Sequence, residues 1–274
     1  MKVNPHDNPP RRIAVILGTG GSGSNLLDLV QPLLGSDRDI EMQGVFLEEA
    51  EVQHAAELPF VKELCRVTFS VREFTTDQFE HALNLRMRSA RRALSVLARR
   101  TGVVHSFRNV RGSAVKLLRD TAAESDITLF EPARAISAAM AHPVRRPAPW
   151  QTIVVAIDDL VAGARALGVA AHLVEGRMDR VTVLLTPSAA EQGESVRQIF
   201  DDMLPRRPAH VRTLESTSVE DLARATHVQG ASLLVIGISA ATLDPIALRA
   251  LRERLRCPIC LVRRWGKNEA ASAE

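Results

Sequence analysis

Short apolar runs alternate along the chain with longer stretches whose apolar residues recur every three or four positions. The first kind predicts buried strands and the second amphipathic helices. Strands are predicted at residues 12–17 (RIAVIL), 40–47 (IEMQGVFL), 102–110 (GVVHSFRNV) and 126–130 (DITLF). Helices fall between them, around 23–34 and 112–124. The second half repeats the order, with strands at 152–157 (TIVVAI), 180–186 (RVTVLLT), 209–213 (AHVRT), 232–237 (SLLVIG) and 258–263 (PICLVR). A helix around 243–255 precedes the last of them. A strand-then-helix alternation builds a mostly parallel sheet with helices on both faces.

The repetition is residue by residue at the start of each half. IAVILGTGGSG (13–23) lies over IVVAIDDLVAG (153–163) without a gap, so the chain reads as an internal duplication. Between the halves, PVRRPAPW (143–150) carries three prolines. Proline removes a backbone donor and restricts the residue before it, which makes this stretch the natural linker. The predicted organisation is a polar tail at 1–11, a first domain at 12–147, a second at 148–266 and a tail at 267–274.

The first half also carries a long helical stretch, 78–101, with Leu83, Met87, Ala90, Leu94 and Leu97 at steps of four and three. These make one apolar face for the sheet. Arg86, Arg88, Arg91, Arg92, Arg99 and Arg100 fall mostly elsewhere and could meet phosphates. A solvated basic face is the preferred reading, because no aromatic stacking platform is interleaved.

Composition narrows the function classes. Of 274 residues, 46% are hydrophobic and 24% charged, which excludes a disordered chain. No apolar stretch is long enough to span a bilayer, and no signal-peptide core follows Met1 to Arg12. Three cysteines, Cys65, Cys257 and Cys260, cannot make a disulfide framework, so the expected compartment is the reducing cytoplasm. A net charge of +3 gives no case for nucleic acid or a membrane as partner.

Particular segments resemble the universal stress protein family. They are Gly44-Val45-Phe46-Leu47-Glu48-Glu49 followed by Leu58-Pro59-Phe60, and Ser106-Phe107-Arg108 with Arg111-Gly112 and a helix leading to Asp126. The last, Cys257-Pro258-Ile259-Cys260-Leu261-Val262-Arg263, looks like that family's final strand. The order and spacing of these segments, from about Arg12 to Arg263, are those of the tandem bacterial members. The resemblance implies an α/β fold of two tandem doubly wound, mostly parallel-sheet domains, universal stress protein-like and adenine nucleotide alpha hydrolase-like. It implies a non-enzymatic regulatory module that often binds ATP and often dimerises through its last strand. It also implies an Asp at the end of strand one for the base and sugar, and a Gly-x2-Gly-x9-Gly-Ser/Thr loop after strand four for the phosphates.

Carried over by position, Asp158 takes the place of the strand-one Asp, and Gly237 that of the first loop glycine. Ser239 supplies a hydroxyl nearby, so an ATP site is expected only in the second half, at Asp158, Gly237 and Ser239. The pattern is broken there, since Ala240, Ala250 and Leu251 stand at its later positions. In the first half Gly18 replaces the Asp, and the segment from Glu131 to Pro143 is nine residues shorter than that from Gly237 to Pro258. His142 before Pro143 marks a clipped fifth strand, whose loss would leave a sheet edge open for self-association or a protein partner.

Three other motifs invite chemistry. Gly18, Gly20 and Gly23 form a G-x-G-x-x-G after a strand, an alternative phosphate loop for a dinucleotide enzyme, with Glu48 or Glu49 as the ribose acid. A plain glycine-rich turn explains the same residues. Cys257 and Cys260 form a C-x-x-C, but one that opens a strand, where positions i and i+3 face opposite ways, so buried structural thiols are expected. Asp159 beside Asp158 reads as a helix cap. No metal spacing, nucleophile elbow or P-loop occurs in the sequence. Beside the regulatory module and the dinucleotide enzyme, a ligand-free interaction scaffold is the third reading.

Overall fold

The computed structural model describes residues 11–18, 24–35, 40–58, 61–64, 69–73, 75–133, 152–203, 208, 210–239 and 242–263. Each predicted strand is present within a residue or two. The first half runs β1 (Arg11–Leu17), α1 (Ser24–Leu34), β2 (Ile40–Glu49), α2 (Ala50–Ala56), β3 (Lys62–Leu64), β4 (Val71–Glu73), α3 (Thr76–Thr101), β5 (Val104–Gly112), α4 (Ala114–Glu124) and β6 (Ile127–Phe130). The second runs β7 (Ile153–Ile157), α5 (Leu160–Leu173), β8 (Val181–Leu185), α6 (Pro187–Glu191), α7 (Gly193–Met203), β9 (His210–Thr213), α8 (Val219–Val228), β10 (Leu233–Gly237), α9 (Pro245–Arg254) and β11 (Ile259–Val262). The short α2 and α6 and the β3–β4 hairpin carry no period long enough to be seen in advance.

Nine strands form one sheet in the order β5-β2-β1-β6-β11-β10-β7-β8-β9. Reading outward from β1 and from β7, both halves place their third, second, first and fourth strands alike. Ile13 pairs with Ile127 and Met42 in one half as Ile153 pairs with Leu233 and Val181 in the other. Strands within a half are parallel, and the halves meet through β6 and β11, which are antiparallel, with Phe130 opposite Ile259 and Val262 opposite Ile127. The duplicated halves are therefore two sections of a continuous sheet.

This seam corrects one expectation. The edge of β6, expected to be open, is covered by β11 of the same chain. The clipped strand at His142 and Pro143 and the linker 143–150 lie outside the described residues. The two edges of the sheet are β5 and β9, and β9 is exposed along its whole length.

Central strands are buried on both faces, which is why they read as unbroken apolar runs. Ile13, Val15, Leu17, Ile153 and Val155 point into the core beneath α1, α3, α5 and α7. Ile16, Val154, Leu234 and Phe130 point to the other face, under α4, α8 and α9. Helix α3 buries the predicted stripe, with Leu83, Leu94 and Leu97 in the core and Met87 and Ala90 partly covered. Thr75 caps its start by accepting from Gln78 N–H, and Gly102, at φ 72°, ends it in a left-handed turn.

Candidate functional site

An open α/β sheet places its ligand crevice at the carboxyl ends of the strands where the order reverses. In the second half that point lies between β7 and β10. Asp158 follows β7 directly and is exposed, with no partner among the described residues. Asp159 is the N-cap of α5, accepting from Ala162 N–H at 2.7 Å. Gly237 ends β10 so close to the first turn of α5 that a Cβ on it would lie 2.0 Å from the Ala162 carbonyl oxygen. The glycine is therefore demanded by the packing of helix on strand.

The loop after Gly237 is closed on itself. The Ser239 N–H donates to Thr242 Oγ1 at 3.2 Å, and the Thr242 N–H donates to Ser239 Oγ at 3.3 Å. The start of α9 is held by Asp244, whose Oδ2 accepts from Ile246 N–H at 2.9 Å and Ala247 N–H at 3.0 Å. A helix N-terminus is a ready place for a phosphate. Here both N-termini flanking the crevice, of α5 and α9, hold a carboxylate of the protein itself. The structure thus brings Asp158, Gly237 and Ser239 together, with the N–H groups of Ala162, Ser239, Thr242, Ile246 and Ala247 engaged within the chain.

The first-half crevice, between β1 and β6, is filled from the other half. Because β6 and β11 run antiparallel, the carboxyl end of β6 lies beside the amino end of β11, where α9 finishes. Arg252 of α9 reaches across to pair with Glu49 Oε1 at the end of β2, 203 residues away. Both side chains are nearly covered, at 17% and 15% exposure. The Arg252 carbonyl also accepts from Ala133 N–H at 2.8 Å. What remains is a cavity of about 50 Å³ bounded by Gly18, Glu131 and Arg252. Burial pushes the Glu131 carboxyl above its usual range.

The alternative glycine loop is met only in part. Gly18 is described, and a Cβ there would touch nothing within 4 Å, while Gly20 and Gly23 lie outside the described residues. Neither ribose acid is free: Glu49 pairs with Arg252, and Glu48 accepts from Asn109 Nδ2. The six arginines of α3 are exposed, as a solvated face requires. Cys257 and Cys260 fall in the cores on opposite faces of the sheet, and Cys65 lies outside the described residues. Burial pushes the Cys257 thiol up to about 11 and the Cys260 thiol up as well, so neither is a nucleophile near neutral pH. Among the described residues no three His, Cys, Asp or Glu side chains are grouped to hold a metal. No described helix is long and apolar enough to cross a membrane.

No protein-family model and no curated protein matches the chain. Solved structures do. A protein from Archaeoglobus fulgidus matches at 10% identity and a TM-score of 0.48, over 93% of this chain and 97% of its own. One from Pseudomonas aeruginosa matches at 14% identity and 0.39, over 92% of each chain. The first is a universal stress protein and the second a putative one. A member of that family from Burkholderia pseudomallei matches at 24% identity and 0.30, over 41% of this chain and 96% of its own.

Two residues that shape the crevices escaped the sequence reading. Asp244 could have been found, since Asp followed by Pro245 at the first helical position is a helix-start signal. Arg252 could not, because its role depends on a pairing with the opposite half.

Proposed function

We propose that this protein is a non-enzymatic regulatory or binding module of the universal stress type whose two crevices no longer take a nucleoside triphosphate. The observation that carries the reading is the filling of both phosphate positions by the chain itself. Asp159 and Asp244 occupy the helix N-termini of the second half, and the Arg252–Glu49 pair occupies the first. A triphosphate entering the second crevice would meet three carboxylates, including Asp158, and no described arginine or lysine pairs with any of them there. Such a module acts through its surfaces, and the exposed edges β5 and β9 are the places for self-association or a protein partner.

One observation favours a second reading. Asp158 is exposed at the switch point and has no partner, as a base- or sugar-binding carboxylate requires. Equilibrium binding of ATP with magnesium separates the two. No saturation is expected with the wild-type protein. Saturable binding that Asp158→Ala abolishes would overturn the proposal and establish a nucleotide site in the second half.

A further inference from the structure

A cleft of about 270 Å³ opens at the amino ends of β10 and β11, where α8 and α9 both finish. It lies at the opposite end of these strands from the crevice at Asp158. Arg224 and His227 of α8, Arg254 at the end of α9, and Arg256 beyond it line the walls, and the buried Leu255 and Cys257 form the floor. No Asp or Glu lines the cleft.

We propose that this cleft binds a small phosphate monoester, its phosphate on Arg256 and its apolar body over Leu255 and Cys257. The lining offers an anion three guanidinium groups and no carboxylate. Two helix carboxyl ends contribute roughly half a negative charge each, and Glu220, Asp221 and Glu215 offset Arg254 and Arg224 from outside the lining, so the contact rests first on Arg256.

Arg254 faces Glu220 at 3.4 Å, and Arg224 faces Asp221 at 3.1 Å and Glu215 at 3.9 Å. The Arg254–Glu220 and Arg224–Glu215 pairs are all at least half exposed, and such pairs are worth at most about 1 kcal/mol each. Arg254 can therefore turn toward a ligand at little cost, whereas Arg224 is held by Asp221, which is mostly covered. Arg256 has no partner among the described residues and is free to supply its planar fork, which matches two phosphate oxygens at once. The buried Cys257 stays a neutral thiol and does not repel the anion. The cleft is smaller than the roughly 300–1,000 Å³ of sites for drug-sized ligands, so the body fits about one ring.

Calorimetric titration of the whole protein with phenyl phosphate, and separately with inorganic phosphate, tests this at low ionic strength. Phenyl phosphate should saturate one site and bind at least about tenfold more tightly than inorganic phosphate, from burial of the ring. Arg256→Ala should weaken it by about ten- to a hundredfold, the usual loss of a charge-assisted contact, and Arg256→Lys by less. Arg254→Gln is a second variant that should also weaken binding, whereas Arg88→Ala, an exposed arginine of α3, should not. Three results would each overturn the proposal. They are no saturation by about 10 mM, a far weaker affinity than such sites show; unchanged binding in both Arg256→Ala and Arg254→Gln; and inorganic phosphate binding as tightly as phenyl phosphate.

Discussion

Gly237→Ala separates a packing glycine from a ligand glycine. A Cβ at this position would lie 2.0, 2.2 and 2.8 Å from the oxygen, carbonyl carbon and Cα of Ala162. All three are backbone atoms, so no side-chain rotation relieves the clash. Either the first turn of α5 lifts by about an ångström or β10 bends away, and both disturb a well-filled core. The turn that must lift carries the Asp159 cap, and α5 is anchored by the buried Ala162, Ala166, Leu167, Ala170 and Leu173. Overpacking costs typically 1–3 kcal/mol, and a clash between two backbones belongs at about 3 kcal/mol or more. For a chain of this length that lowers the melting temperature by roughly 6–12 °C. Thermal unfolding followed by circular dichroism reads the shift. Gly18→Ala is the control, since its Cβ meets nothing within 4 Å, and its melt should stay within about 0.5 kcal/mol of wild type. A Gly237→Ala protein that melts with the wild type would refute the packing argument.

Two further outcomes rest on the seam and the cores. Arg252→Ala should destabilise the protein by about 2 kcal/mol, because it strands the nearly buried Glu49, and Arg252→Met with Glu49→Leu should recover most of the loss; equal melts for all three proteins would refute it. Burial holds the proton on Cys257 up to about 11 in the fold, against about 9 for an exposed thiol. Between those values the unfolded chain binds fewer protons, so this thiol's contribution is intact below pH 9 and falls by about 1.4 kcal/mol per pH unit as pH rises toward 11, beside a like fall from Cys260. Denaturant titrations across that range should show a shallower fall in Cys257→Ala.

The legible part of this protein is the part written in short-range order. Strands β1, β7 and β10 could be read because a strand buried on both faces must be apolar at every position. The α3 stripe could be read because a helix repeats its buried side every three to four residues. The opposite burial of Cys257 and Cys260 follows from a strand's period of two. The candidate site was legible only as far as Asp158, Gly237 and Ser239 share a crevice. That Gly237 serves the contact with Ala162 could not be read, since a glycine required by a neighbouring backbone looks the same in sequence as one required by a phosphate.

Sequence alone thus determined the alternation of elements and the duplication, because each follows from periodicity and repetition along the chain. Tertiary structure alone decided how the halves join. The antiparallel pairing of β6 with β11 covers one edge, brings the end of α9 to the opposite half's crevice and pairs Arg252 with Glu49. Such contacts depend on which surfaces meet after the strands are formed, and nothing in the local pattern around residue 49 or residue 252 encodes the other.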